Sequence, residues 1–298
     1  MRRLPAVIAF LVVAAVCPPA SAGYGSAQLL FNFQDARIRE SSGIAPYSRS
    51  DDIWFTHNDS GDWARFFAVG SDGKTRARYE VAGPVAVDWE DMARGPGADG
   101  GPALFFADFG DNDEVRPTVT VYEVPEPVVP TEPSPVPLPA PPSRVHHLLY
   151  EDRPHNAETL LVDPSDGSLA VVTKDGNGVS GLYEAASLGT GLPQLLHRTM
   201  TLDLIRVASG TTASHLLTTG GAISPDGSRV VVRTYAEAFE WTIPFGHLPS
   251  AFAQTPVRVS LPTTVQGEAI CYSRAGTDLV TTSEGTGAPV HRLPGAGT

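Results

Sequence analysis

The tetrapeptide Glu90-Asp91-Met92-Ala93 opens a phrase of sequence that recurs five times along the chain. Each copy starts with a small or acidic residue, continues as an apolar segment, passes through a polar turn and ends in a second apolar segment. The other openings are Ser42-Gly43-Ile44-Ala45, Glu158-Thr159-Leu160-Leu161, Gly221-Ala222-Ile223-Ser224 and Glu268-Ala269-Ile270-Cys271. A repeat of this length is typical of solenoids and β-propellers, in which equivalent positions of each copy lie side by side.

The segments between the openings have the composition of β-strands. The second apolar segment of each copy is rich in β-branched and aromatic residues, and turn signals such as Pro225-Asp226-Gly227 precede it. A third strand follows in every copy, and a fourth in all but the last. We therefore predict an all-β fold, a β-propeller of five four-stranded blades.

Two features bear on how the ring closes. The last copy lacks a fourth strand, and the apolar segment 27–33 is predicted to fill that place, leaving no unpaired edge in the last blade. A six-bladed ring is the alternative if residues 208–217 hold a degenerate copy.

A proline-rich insert at 125–142, with nine prolines, is predicted to be an exposed, extended linker within one domain.

The N-terminus and the charge limit the location and the partners. Residues 1–22 combine Arg2 and Arg3, an apolar run and an Ala20-Ser21-Ala22 cleavage signal, which predicts a signal peptide and secretion. The rest of the chain, residues 23–298, is predicted to form a single propeller domain. The net charge of −12 disfavours nucleic acid and anionic membranes as partners. Cations and neutral or cationic ligands are compatible with this charge, and we expect a monomer.

Several acidic phrases resemble those of secreted bacterial β-propeller proteins, a group similar to WD40-like repeats and to the "esterase-like activity of phytase" type. The resemblance spans most of the chain after residue 22 and implies a fold more firmly than an activity. Its motifs are His57-Asn58-Asp59-Ser60-Gly61-Asp62, Asp88-Trp89-Glu90-Asp91, Asp108-Phe109-Gly110-Asp111-Asn112 and Gln266-Gly267-Glu268-Ala269.

Charged residues are predicted to gather at one mouth of the central channel. The innermost strand of a propeller blade starts on the face where the second strand ends, so the leading Glu90, Glu158 and Glu268 should share that face. Loops at one end of a rigid scaffold commonly form the binding site. The residues expected beside the glutamates are His57, Asp59, Asp62, Asp108, Asp111, Lys174, Arg233 and Glu284.

Three converging carboxylates must bind a cation, share protons, or pair with a base. A hard cation with oxygen ligands, Ca²⁺, fits this composition, with Asp59, Asp62, Asp108, Asp111 and the three glutamates as the candidate ligands. The alternative is that the glutamates bind backbone amides of neighbouring blades and water in the channel.

Two functions remain open from the sequence. The first is a binding or scaffold module with an acidic mouth for calcium or for a small-molecule, sugar or protein ligand. The second is a hydrolase, glycosidase-like or phytase-like, with Glu90, Glu158 and Glu268 as catalytic residues. The sequence has no zinc-protease, P-loop or dinucleotide motif, and its histidines lack the spacing of a zinc site. The candidate ligand-contacting residues are His57, Trp63, Trp89, Lys174, Arg233 and Glu284.

Overall fold

The computed structural model describes residues 23–83, 85–185, 188–208 and 212–295. The predicted signal peptide lies outside the described residues. The strands are β1 (Gln28–Asn32), β2 (Ser41–Pro46), β3 (Ile53–Asn58), β4 (Arg65–Gly70), β5 (Thr75–Glu80), β6 (Trp89–Pro96), β7 (Pro102–Asp108), β8 (Val119–Pro125), β9 (Leu138–Pro139), β10 (Arg144–Tyr150), β11 (Ala157–Val162), β12 (Leu169–Thr173), β13 (Val179–Ala185), β14 (Gln194–Asp203), β15 (Thr218–Ile223), β16 (Arg229–Thr234), β17 (Glu237–Thr242), β18 (Val257–Ser260), β19 (Gly267–Tyr272), β20 (Leu279–Ser283) and β21 (Pro289–Leu293).

The strands pair as five four-stranded antiparallel units, which we number 1 to 5 in chain order of their innermost strands. These units are β2-β3-β4-β5, β6-β7-β8-β10, β11-β12-β13-β14, β15-β16-β17-β18 and β19-β20-β21-β1. Their innermost strands contact one another in sequence, and β19 returns to contact β2. The fold is therefore an all-β propeller, as the repeat predicted.

The N-terminal strand completes the last unit. β1 pairs antiparallel with β21, from Gln28 opposite Arg292 to Asn32 opposite Pro289. Its Phe31 is buried, whereas Leu29 on the same strand is 58% exposed. The segment expected to fill the gap in the fifth unit therefore occupies that place.

Short helices lie outside the five units. α1 (Leu204–Val207) follows β14, and α2 (Leu248–Phe252) precedes β18. The described part of segment 208–217 forms a 3₁₀ turn at Ala213–His215. The described residues of this segment contain no strand of a further unit. No helix in the described ranges combines the length and the apolar character needed to cross a bilayer.

Positive-φ glycines make the tight turns that the sequence predicted. Gly167 and Gly227 have φ values of 78° and 70°. An L-residue with a Cβ is strained in this region, and glycine is not, so the Asp-Gly pairs determine where the first strand of units 3 and 4 turns back.

The proline-rich insert is extended, and part of it is buried against a neighbouring unit. Its strand β9 pairs in parallel with β5 on the outer edge of unit 1. Glu126 and Val129 are buried, and Glu126 accepts hydrogen bonds from the backbone and side chain of Ser48. The insert therefore covers the edge of a neighbouring unit, which protects that edge from pairing with another chain.

The core lies between successive units. Between units 1 and 2, Phe55 and Phe66 pack with Phe106 and Trp89. Aromatic rings stack directly there: the centroids of Trp89 and Phe106 are 4.9 Å apart. The innermost strands are buried on both faces, so polar residues on them need specific partners. The acidic residues on the innermost strands are therefore candidates for a functional role.

Candidate functional site

Each innermost strand has a β-bulge near its start, at the same register in all five units. A bulge redirects one side chain from the normal alternation of a strand, and bulges are common beside functional sites. Three of the five positions are glutamates, so negative charge concentrates at this end of the channel. The bulge residues are Ser42, Glu90, Glu158, Thr219 and Glu268.

The fourth unit corrects the register taken from the sequence. Sequence comparison placed Gly221 at the leading position, but strand pairing places the bulge at Thr219, two residues earlier. Thr219 Oγ1 donates to the Gly267 carbonyl of unit 5 at 2.9 Å, and Ser42 donates to the Glu90 carbonyl of unit 2. The two hydroxyl residues therefore join neighbouring units.

A second set of side chains lies just after the second strands. The backbone N–H of Asp59, Lys174 and Glu284 donates to the carbonyls of Glu40, Asn156 and Gln266, at 2.8, 2.9 and 2.9 Å. The same bond in three units holds these three side chains at equivalent places around the channel. Tyr235 follows β16 at the corresponding place in unit 4.

Six carboxylates therefore surround one lysine at this end of the channel. Glu90, Glu158 and Glu268 are buried, and each is electrostatically coupled to others in the group. We call this group the acidic mouth. It consists of Asp59, Asp88, Glu90, Glu158, Lys174, Tyr235, Glu268 and Glu284.

Lys174 is the cation of the acidic mouth. Its Nζ pairs with Glu158 and donates to the Tyr235 hydroxyl at 2.8 Å, and it lies 5.0 Å from the Tyr235 ring centroid. Burial is the largest single influence and opposes its charge, but the charge of Glu158 and the hydrogen bonds to Glu158 and Tyr235 together outweigh it, so the pKa of Lys174 is raised. Lys174 is thus the one cationic member of a group with six acidic side chains, and Arg116 and Arg233 act on Asp88 and Glu268 from outside the group.

The acidic side chains hold their protons strongly. Burial, and next the charge of Glu158, raise the pKa of Glu268 to about 8, while burial raises the pKa of Glu158 to about 7 despite Lys174. Burial and the charge of Glu158 raise the pKa of Glu90 well above its usual value. Without a further cation, the group cannot fully ionise near neutral pH.

Asp59, Asp88 and Glu90 form the tightest carboxylate cluster of the mouth. One oxygen from each lies within 4.8 Å of the other two. Burial raises the pKa of Asp59 to about 6, with Asp88 and Glu40 adding repulsion. In the same group, Glu268 Oε2 is buried and has no hydrogen-bond partner among the described residues. These oxygen donors outnumber the positive charges near them, which is the composition of a candidate metal centre.

Three of the carboxylates expected to bind metal already have other partners. Asp62 pairs with Arg65 at 2.7 Å, and Asp108 pairs with Arg116 at 2.9 Å. Asp111 accepts a hydrogen bond from the backbone of Arg116 at 2.7 Å. The charges of Asp62 and Asp108 are thus already neutralised by arginines, whereas Asp111 is bonded to an uncharged backbone N–H.

Arg233 is a buried residue near Glu268 of the acidic mouth. The side chain is 2% exposed, and it donates to the carbonyls of Ala269 at 3.0 Å and Thr282 at 3.2 Å. Burial lowers the pKa of Arg233 to about 10, and the nearby Glu268 acts in the opposite direction. It joins units 4 and 5, and an added Cβ at Gly267 would overlap its guanidinium.

The predicted aromatic and histidine contacts are also distributed differently. His57 and Trp89 are buried against each other, with ring centroids 5.6 Å apart, and burial lowers the pKa of His57 to about 4. Trp63 is 80% exposed, in a groove beside Pro137 and Leu138. His57 and Trp89 therefore offer no free face to a ligand, whereas the Trp63 ring is exposed.

Two solved structures align with this chain over most of its length. A crystal structure of RRP9 WD40 repeats aligns with a TM-score of 0.48 and 11% identity, covering 92% of this chain and 99% of that one. A structure of U3-55K aligns with a TM-score of 0.47 and 10% identity, covering 91% and 100%. No family model matches the sequence. No curated protein matches it either.

Sequence reasoning missed three residues of the site. Asp88 and Tyr235 belong to the acidic mouth, and Asp91 lies below it. The Asp91 carboxylate accepts bonds from the backbone of Met92 at 2.8 Å and of Leu160 at 2.9 Å, so it bridges units 2 and 3. Burial raises the pKa of Asp91 well above its usual value. The sequence Asp88-Trp89-Glu90-Asp91 contains Asp88 and Asp91 next to Glu90, and this proximity could have indicated both as site residues.

The raised pKa values predict a stability that falls as the pH rises. Glu158 and Glu268 bind protons more tightly in the folded state than unfolded, so this stabilisation is present below about pH 4.5 and is lost through about pH 7 and pH 8. From about pH 6.5 to 8.5 we expect metal-free protein to lose on the order of 2 kcal/mol, because proton release from His57 in the unfolded state, with a pKa of about 6.5, offsets only a few tenths of a kcal/mol of this loss.

Thermal melting in the presence of a chelator measures this loss. Glu268→Gln should flatten the decline, whereas Glu132→Gln, at an exposed carboxylate in the proline-rich insert, should leave it unchanged. A wild-type melting temperature that is constant or rising over this range would contradict the assignment.

Proposed function

We propose that the protein is an exported cation-dependent binding module, whose acidic mouth holds one divalent cation of the calcium type. The observation that carries the proposal is the cluster of Asp59, Asp88 and Glu90 oxygens within 4.8 Å of one another. Carboxylates this close repel unless a cation or a proton intervenes. Oxygen-only donors suit a hard cation, and an extracellular calcium module typically binds with a Kd of about 10⁻⁴ to 10⁻³ M.

A cation would leave the mouth able to bind a second ligand. Two positive charges added to Lys174 do not balance six acidic groups, so neutral or cationic ligands, including basic protein surfaces, remain favoured. Calcium often keeps water molecules or accepts carbonyl oxygens as further ligands, and an incoming partner can supply these. We therefore propose that the cation organises the binding surface for a ligand of this kind.

The hydrolase alternative has less support. Lys174 pairs with Glu158, one of the three carboxylates that a glycosidase would need free. Phosphate recognition favours several basic groups, and the acidic mouth offers one, which is already paired. Glu158 and Glu268 do have pKa values near neutrality, as a general acid needs, but their environment explains these values without substrate chemistry.

Calcium titration of chelator-treated protein tests the proposal. Calcium at about 100 times its Kd stabilises the folded state by about 2.7 kcal/mol, which corresponds to a rise in melting temperature of roughly 5–10 °C. Glu90→Gln should abolish this rise, and Glu132→Gln should keep it. An unchanged wild-type melting temperature, or an equal rise in Glu90→Gln, would reject the proposed cation site.

A further inference from the structure

A second group of metal-ligand side chains lies between units 2 and 3, outside the acidic mouth. It consists of Glu114 from the loop between β7 and β8, His155 before β11, and Asp175 after β12. One ligand atom from each lies within 4.8 Å of the other two. The three residues are far apart in sequence, so no spacing motif announces the group.

The hydrogen bonds of His155 determine which ring nitrogen is free. Tyr183 donates its hydroxyl hydrogen to Asp152 Oδ2 at 2.9 Å. His155 Nε2 faces Asp152 Oδ1 at 3.1 Å and the Tyr183 oxygen at 2.7 Å, so it faces acceptors and carries the N–H. In the neutral ring, the lone pair is therefore on Nδ1, which is buried and has no hydrogen-bond partner within the described ranges of the chain.

His155 is also held firmly in place. Its side chain is 5% exposed, and its ring centroid lies 5.0 Å from that of Tyr150 and 5.0 Å from that of Tyr183. A histidine that donates one N–H to a carboxylate and offers its other nitrogen is the arrangement found at zinc sites, where the carboxylate fixes the tautomer and the ring orientation. Asp152 occupies the position of that carboxylate.

The two carboxylates keep oxygens available. Asp175 Oδ2 accepts from Thr173 Oγ1 at 2.5 Å, which leaves Oδ1 without a hydrogen bond in the described part of the chain. Glu114 pairs with Arg153 through Oε2 alone. That pair is exposed on both sides, and exposed ion pairs contribute about 0–1 kcal/mol, so a metal ion can displace the guanidinium.

We propose that His155 Nδ1, Glu114 and Asp175 form a transition-metal site, of the zinc type, separate from the cation site of the acidic mouth. An imidazole nitrogen with two carboxylates suits Zn²⁺, whereas Ca²⁺ takes oxygen ligands alone. Three protein ligands leave one position of a tetrahedral zinc ion open to water or to a ligand atom. The proposal does not depend on calcium binding at the mouth.

Titration of tag-free, chelator-treated protein with zinc chloride, followed by calorimetry, tests the site. We expect one zinc ion per chain, and at least tenfold weaker binding in His155→Ala and in Asp175→Asn. Asp152→Asn leaves all three ligands in place. It should weaken zinc binding by a similar factor, because it removes the carboxylate that fixes the tautomer of His155. His215→Ala, at an exposed histidine, is the matched control and should bind as wild type.

Two controls make the result decisive. Asp175→Asn is nearly isosteric, so an unchanged circular dichroism spectrum and melting temperature show that its loss of binding is not misfolding. Glu90→Gln should bind zinc as wild type does, even though it loses calcium. Zinc binding abolished by Glu90→Gln, zinc binding undiminished in Asp175→Asn, or the absence of a wild-type zinc site would each overturn the proposal.

Discussion

Replacing Phe31 with alanine is expected to lower the free energy of unfolding by about 3–5 kcal/mol. Phe31 is 6% exposed on the N-terminal strand and packs edge to face against Phe33, with ring centroids 5.8 Å apart. Its cluster includes Trp54 of unit 1 and Val280 of unit 5, so the cavity would open at the junction where the ring closes.

Guanidinium unfolding measures this difference, and the same strand supplies the control. Leu29→Ala removes a side chain that is 58% exposed, and should change the free energy by about 0.5 kcal/mol or less. Equal, small effects of the two substitutions would show that β1 does not close the fifth unit in solution.

Replacing Lys174 with methionine should destabilise the metal-free protein by about 3–5 kcal/mol at pH 8, because it leaves buried Glu158 without its ion pair. The loss should shrink near pH 5, where Glu158, whose pKa is already about 7 beside the lysine, carries a proton. Calcium should rescue the variant, since removal of a competing positive charge strengthens cation binding in the acidic mouth.

Lys74→Met is a matched control, since Lys74 is the only other lysine of the chain and is exposed. Melting curves at both pH values, with and without calcium, give the comparison. A Lys174→Met loss that is independent of pH and calcium would mean that Lys174 acts only through packing, and would contradict the electrostatic account of the mouth.

The strands were predictable because local patterns determine them. The apolar segment after the turn Pro225-Asp226-Gly227 was expected as a strand from its sequence alone, and the structure has β16 (Arg229–Thr234) there. Apolar runs bounded by Asp-Gly turns specify where such strands begin and end, whatever lies beside them. Closure by residues near the N-terminus was predictable from the missing fourth strand of the last copy.

The register of the fourth unit was not predictable in this way. The segment Thr218-Thr219-Gly220-Gly221 has no acidic residue to mark the bulge, and two glycines fit either alignment. Its position is determined by pairing with β16, where Gly220 lies opposite Arg233. Such cross-strand information is absent from the linear sequence.

The candidate site was predictable in its glutamates but not in its neighbours. Glu90, Glu158 and Glu268 share a register, so any ring closure brings them together. Trp89 and Glu90 are adjacent, yet one packs into the core and the other is redirected by a bulge. The direction of each side chain depends on that bulge, and for this reason the sequence could not separate mouth residues from buried ones.

The most direct test of the account is the calcium stoichiometry of metal-free protein, measured by equilibrium dialysis near pH 8. The account predicts one calcium ion per wild-type chain, none in the double variant Asp59→Asn with Glu90→Gln, and one in Glu132→Gln. Wild-type protein that binds no calcium, or a double variant that still binds one ion with unchanged affinity, would contradict the assignment of the acidic mouth as a cation site.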